Sequence, residues 1–211
     1  IYCVVLHNEM IPYLFSTVVD AHLRGGSLIK NASYEEESHQ VGDYLFTKAI
    51  TSTDNRVSFH LPSEGEWMDF YNGKKYAPGS LIEEAYALEH FPLFVKEGAI
   101  LPLNVASEIT GLGDASMAGR RTIMIYPNGN TTRLLHLPCG DGIEYEDCLV
   151  TYDEKTGKLQ VSGGTFQKYT FILKNMPSVK EVKNAVSWKY NVEKQELRID
   201  AQGDSLNIKI S

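Results

Sequence analysis

Over the first 24 residues the apolar positions recur at helical spacing. Val4, Val5, Ile11, Leu14, Phe15, Val18, Val19 and Leu23, with His22 among them, gather on one side, while Asn8, Glu9, Asp20 and Arg24 mostly take the other. The pattern predicts one amphipathic helix over Ile1–Arg24. Pro12 predicts a kink or break near His7 to Glu9, and Gly25-Gly26 supply a C-terminal stop. No initiator Met and no N-cap residue precede the apolar pattern, so the helix reads as entered late. A stripe this wide needs a surface to cover it.

From Asn55 the period changes to two. Val57, Phe59 and Leu61 alternate with polar residues, Pro62 to Gly65 read as a turn, and Glu66 to Tyr71 run back with Trp67 and Phe70 available for burial, which predicts a hairpin. Asn72-Gly73 is a second tight-turn signal, and Leu93 to Leu103 is an apolar run broken by Lys96-Glu97-Gly98. Residues 105–119 are rich in Gly, Ser and Ala and read as a linker. Beyond Arg120 short strands recur about every ten residues, among them Thr122–Tyr126, Thr132–Leu137, Lys158–Ser162, Thr165–Lys174, Ser187–Asn191 and Ser205–Ile210, punctuated by Gly- and Asn-containing turns. The fold class is mainly β, with sandwich or barrel packing after one N-terminal helix.

Three stretches carry a resemblance. GEWMDFYNGKKY, through Gly65, Trp67, Asp69, Phe70, Gly73 and Tyr76, resembles the G-x-W-x-D-F-W-T-G-x-x-Y segment that follows the catalytic barrel in glycoside hydrolase family 31. FPLFVKEGAILPL is similar to that family's I-P-V-F-V-R-x-G-A-I-I-P-L, and LHNEMIPYLFSTVVDAHLRGG resembles its last barrel helix through Pro12, Tyr13, Leu14, Ala21, His22 and Gly25. The resemblance implies four parts: residues 1–32 as the last helix and strand of a (β/α)8 barrel, 33–104 as a proximal β-sandwich, 105–119 as a linker and 120–211 as a distal β-sandwich. The sequence departs from the family at Lys30-Asn31-Ala32, where Arg-Pro-Leu is usual, and at Thr47-Lys48-Ala49. Lys in place of Arg loses the bidentate fork. Tyr145-Glu146-Asp147 is what stands here for a longer Tyr-Glu-Asp-Asp-Gly.

The net charge of −7 carries no long single-sign block, which argues against nucleic acid, and no apolar run is long enough to span a bilayer. Ile1 to Cys3 do not read as an export signal, and the compartment stays open. Cys3, Cys139 and Cys148 show no metal-ligand spacing; a Cys139–Cys148 bridge across a hairpin is one reading and free thiols the preferred one. The six histidines are scattered, with His22 read as a packed helix residue.

Retaining hydrolysis of a glycoside needs two carboxyl groups about 5–5.5 Å apart. The resemblance places both, as aspartates, on barrel strands upstream of Ile1, so no catalytic residue, cofactor or metal is expected within this chain. Its implied partners are an oligosaccharide substrate, met through the whole enzyme, and the barrel itself. Glu35-Glu36-Glu37 reads as solvated charge. Trp67 and Tyr71 are the candidates for stacking on a sugar, weighed against a plug of the sandwich core, with Asp69 holding the turn; Tyr76 is read as core. Two other classes stay in view: a stand-alone carbohydrate-binding module using Trp67 and Tyr71, and an assembly domain dimerising through the Ile1–Arg24 stripe.

Overall fold

The computed structural model describes residues 1–31, 37–140 and 144–211. The chain is mainly β, with one N-terminal helix and β-sandwich domains. It divides into two compact units, residues 25–97 and residues 1–24 together with 98–211. The sequence boundaries at 32, 104 and 119 follow neither edge: the helix groups with the distal strands, and so do residues 105–119.

In the unit 25–97, one six-stranded sheet runs in the order Ile29–Asn31, Ser38–Val41, Leu45–Lys48, Leu93–Lys96, Trp67–Asp69, Lys75–Tyr76. A two-stranded ribbon, Arg56–His60 with Leu81–Ala85, forms the second layer. Val57, Phe59 and Ile82 from the ribbon meet Phe46, Trp67 and Phe94 from the sheet in one buried cluster. The hairpin predicted between Val57–Leu61 and Glu66–Tyr71 is therefore not formed. Its two arms lie in opposite layers, because both Phe59 and Trp67 need the same core and only facing layers bring them together. Pro62–Gly65 is a crossover. The Asn72-Gly73 signal is realised as expected: Trp67–Asp69 pairs antiparallel with Lys75–Tyr76, and Gly73, at φ +72°, donates its N–H to the Asp69 carbonyl at 2.9 Å. Ile29–Asn31, which the resemblance would make a barrel strand, is an edge strand paired antiparallel with Ser38–Val41. Glu35 and Glu36 lie outside the described residues, as does Gly142 of the predicted strand starts; Glu37 is exposed in a turn.

In the other unit two five-stranded sheets face each other. One runs Ser187–Asn191, Glu196–Gln202, Lys168–Leu173, Arg121–Ile125, Ile100–Leu103, with the pair Arg121–Ile125 and Lys168–Leu173 parallel. The other runs Asn130–Cys139, Glu144–Asp153, Lys158–Ser162, Leu206–Ile210, Val182–Lys183. Leu135, Val150, Leu159, Val161 and Ile208 oppose Ile123, Phe171, Leu197 and Ile199 in the core between them. Lys158–Ser162 alternates buried and exposed, so one of its faces looks outward. Arg121–Ile125 and Lys168–Leu173 are buried on both faces.

Residues 105–119 attach to the same sheet at Glu196–Gln202. Val105, Leu112 and Met117 are buried, Arg198 donates to the Leu112 carbonyl at 3.2 Å, and Arg198 also meets Asp114 at 3.5 Å. The stretch is a packed cover with its own 3-10 turn at Ala115–Met117, not a free linker. A Cβ at Gly113 would meet the Met117 sulfur and a Val105 methyl, so any side chain there requires both to shift.

None of the three cysteines is in a disulfide. Cys148 lies opposite Leu135 and Cys139 opposite Glu144 on the paired strands, four register steps apart. At about 3.4 Å per residue that puts them roughly 13 Å apart, well beyond disulfide reach. Burial pushes the Cys148 thiol up to about 11, which makes it unreactive.

The helix Tyr2–Arg24 is continuous through Pro12. The predicted break is absent because the carbonyl that Pro12 leaves unpaired is that of Asn8, an exposed residue whose backbone water can reach. The docked face also differs from the predicted one. Leu6, Glu9, Met10, Tyr13, Ser16 and Thr17 are buried, while Val4, Ile11, Val18 and Leu23 are 65, 46, 47 and 58% exposed. The helix packs through a mixed face, Leu6, Met10 and Tyr13 beside Glu9, Ser16 and Thr17, while the Val4, Ile11, Val18 and Leu23 part of the apolar stripe stays open.

That choice has a physical cost at Glu9. The Glu9 carboxyl is buried, accepts one hydrogen bond from the Thr110 hydroxyl at 2.6 Å, and leaves its second oxygen without a hydrogen-bond partner. Burial raises its pKa, against the pull of the Thr110 bond. A carboxyl with a raised folded-state pKa favours the fold while protonated and loses that contribution as pH rises through the folded value. Glu9→Gln is therefore expected to stabilise this unit at pH 7 by about 1–2 kcal/mol and to flatten the decline in Tm between pH 4 and 7, as read by thermal melts across that range.

Candidate functional site

Asp69 ends a short strand and closes the tight turn that follows it. Its Oδ1 accepts from the backbone N–H of Tyr71 at 2.8 Å and of Asn72 at 2.9 Å. Burial raises the Asp69 pKa while these two donors pull it down. The carboxylate thus holds a turn, as an Asp side chain does readily through backbone N–H groups. Nearby, the Tyr76 hydroxyl donates to Glu84 at 3.1 Å, Lys74 stands 3.8 Å from Glu84, and the Lys74 ammonium lies 4.7 Å from the centre of the Tyr76 ring.

Trp67, one of the two stacking candidates, is 1% exposed and packs edge-on against Phe46 at 5.9 Å. A ring with no free face cannot receive a sugar, so Trp67 is a core residue here. Tyr71, the other candidate, is half-buried. One side of its ring is covered by His90 at 4.5 Å and Phe70 stands edge-on at 5.6 Å. The two candidates belong to one strand and turn but do not form a shared platform. His22 is exposed rather than packed.

The polar residues that do come together join Asp20, which the periodicity assigned to the outer side of the helix, to Arg133 and His136 of the strand Asn130–Cys139. Asp20 Oδ2 lies 3.8 Å from Arg133 and Asp20 Oδ1 lies 3.4 Å from His136 Nε2. His136 Nδ1 stands 2.7 Å from Asp147, and the His136 backbone N–H donates to the Ser16 hydroxyl at 3.0 Å. Arg133 donates to the Ile100 carbonyl at 2.8 Å and to Thr17 at 3.4 Å, with its guanidinium 5.1 Å from the Tyr13 ring centre. These contacts bolt the helix to the strand Asn130–Cys139. No local signal marks them, since Asp20 and Arg133 meet only in the folded chain.

A cavity of about 250 Å³ opens between Ile11, Pro12, Leu103, Arg120, Arg121 and Phe166. Both guanidiniums at its wall are already engaged. Arg120 donates to the Tyr169 carbonyl and the Thr170 hydroxyl and lies 3.3 Å from Asp200; Arg121 sits 4.4 Å above Phe166 and 3.9 Å from Glu146. Glu146 in turn accepts from the Thr165 N–H and hydroxyl. Among the described residues, each buried or half-buried carboxylate named above is tied to a turn, a hydroxyl or a cation, and no three His, Cys, Asp or Glu side chains gather as a metal site. Nor is any described helix long and apolar enough to cross a membrane.

The fold is that of a β-sandwich region with one N-terminal helix. Residues 29–101 match the glycosyl hydrolase family 31 C-terminal domain. The chain is 25% identical over 172 residues to an α-xylosidase of Saccharolobus solfataricus, covering 74% of this chain and 21% of that protein. It is 28% identical over 121 residues to an α-glucosidase of the same organism, covering 53% of this chain and 17% of the relative. Among solved structures, a Flavobacterium johnsoniae GH31 dextranase superposes on 98% of this chain with a TM-score of 0.79 at 19% identity, the match covering 32% of the dextranase. The cycloalternan-forming enzyme of Listeria monocytogenes does so over the same share with a TM-score of 0.77 at 20% identity, covering 23% of that enzyme. Residues 29–101 belong to glycoside hydrolase family 31, as its C-terminal domain. The chain spans about a fifth of the length of these curated relatives.

Proposed function

We propose that this chain is a non-catalytic C-terminal part of a family 31 enzyme that hydrolyses α-glucosidic or α-xylosidic bonds with retention. The observation that carries the reading is the match of residues 29–101 to the family's C-terminal domain within a chain that spans only a fifth of its curated relatives. In this reading the catalytic aspartates belong to a barrel encoded ahead of Ile1. The outward stripe of the helix, with Val4, Ile11 and Val18 about half or more exposed, is the surface the barrel covers. The role of the chain is mechanical: Arg133 and His136 hold the helix from one side so that its apolar face is presented to the other.

The test compares the 211-residue chain with the longer product of the same reading frame on p-nitrophenyl α-glucoside and α-xyloside. The expected result is turnover by the longer protein and none above background by the chain alone. Hydrolysis by the chain alone, abolished by a point substitution within it, would overturn the reading.

A further inference from the structure

The chain has two tryptophans, and the fold treats them oppositely: Trp67 is 1% exposed and Trp188 is 41% exposed. Trp188 is the second residue of Ser187–Asn191, the edge strand of its sheet, paired on one side only and opposite Ile199. Val186 and Val192, at 69 and 72% exposure, flank it along the chain. Two positions on, Tyr190 is anchored, its hydroxyl donating to the Met176 carbonyl at 2.6 Å. On the neighbouring strand Asp200 is fixed by the Ser187 hydroxyl at 2.9 Å and by Thr170 at 2.7 Å. The result is a partly exposed indole, roughly 100 Å² of the residue open to water on the usual size of a tryptophan, at the edge of the sandwich on a braced strand with polar neighbours.

Three kinds of occupant suit an exposed edge aromatic, and two are disfavoured. Strand addition by another chain is opposed by Lys189, an exposed charge at the centre of the edge. A second copy would need about 800 Å² per partner, whereas the open apolar set here is Val186, Trp188 and Val192, a few hundred Å² at most. A small ligand with a flat apolar face and a hydroxylated rim fits the area and the chemistry. We propose that Trp188 is a stacking platform for a pyranose ring of an α-linked oligosaccharide, remote in sequence from the Trp67 stretch. The sugar class rests on the family reading above; the exposed ring does not.

The experiment labels the 211-residue chain with 5-fluorotryptophan, which yields two 19F resonances, assigned through Trp188→Phe. Maltoheptaose and isomaltotriose are then titrated. The expected result is a saturable shift of the Trp188 line with the Trp67 line unmoved. In native gels cast with soluble starch or dextran, retardation should weaken about tenfold in Trp188→Ala and persist in Trp188→Phe, tenfold corresponding to about 1.4 kcal/mol. An unmoved Trp188 line, or retardation unchanged in Trp188→Ala, overturns the proposal. A Trp188 line that moves with protein concentration rather than sugar also overturns it, in favour of a second copy. None of these outcomes touches the hydrolysis assay of the longer protein, so the family reading stands or falls separately.

Discussion

Trp67→Ala is expected to cost about 3–5 kcal/mol and to unfold the unit 25–97 at or near room temperature. The indole is fully buried among Phe46, Phe59, Phe94 and Ile82, with Phe46 stacked on Phe59 at 5.9 Å and Phe59 edge-on to Phe94 at 5.9 Å. It is the only tryptophan of that core, which is thin, because one of its two layers is a ribbon of only two strands. A domain of ordinary stability has about 5–15 kcal/mol to lose, and a core this thin sits at the low end, where one side chain carries most of the margin. Trp67→Phe keeps an aromatic in place and should cost much less. Amide exchange over residues 45–48 and 93–96 checks this directly. A loss under about 1 kcal/mol would mean that the ring is not packed as described and would return Trp67 to consideration as a sugar platform.

Arg133→Ala is expected to cost about 3 kcal/mol and to free the helix Tyr2–Arg24 from the strand beneath it. The side chain is 8% exposed and serves three partners at once: the Ile100 carbonyl, the Thr17 hydroxyl and the Asp20 carboxylate, across the face of Tyr13. Removing one partner of a shielded ion pair leaves the other facing a poor solvent, which is where the large cost of such substitutions arises. Asp20 is 21% exposed and can turn partly to water, which holds the figure to the lower end of the usual range. Arg133→Met separates packing from polar docking, since it restores contact with Tyr13 but no hydrogen bond. Exchange of the amides from Leu6 to Thr17 should rise in Arg133→Ala and stay raised in Arg133→Met. Unchanged exchange in both would show that the helix is held by Leu6, Met10 and Tyr13 alone.

Much of the β structure could be read along the chain. Lys158–Ser162 and Ser187–Asn191 begin and end where alternation and turn residues place them, and Asn72-Gly73 closes the turn it signals. These are properties of near neighbours: a period of two, a glycine able to take positive φ, an Asp reaching two residues ahead. The motif-bearing residues Trp67, Asp69 and Gly73 each do visible work in that local geometry, and together with the two other matching stretches they carry the resemblance to the family. The role of Trp67 was harder, because a strand tryptophan looks the same in sequence whether its face meets a core or a sugar. Trp188 carried no motif and drew no notice.

What the sequence determined by itself, then, was the class of structure, the placing of most strands and the family. Which strands pair was settled only by the tertiary structure: Arg56–His60 looks for Leu81–Ala85 rather than its neighbour in sequence, because two aromatics had to meet across a core. The orientation of the helix was settled there too. Apolar periodicity assumes that whatever lies beneath a helix is apolar, but the strand beneath this one presents Arg133 and His136, and those groups can be desolvated only against partners such as Asp20, Ser16 and Thr17. Complementarity of polar groups far apart in sequence, together with the burial of Leu6, Met10 and Tyr13, sets the docked face, since a buried charge without a partner costs more than the part of the stripe left open.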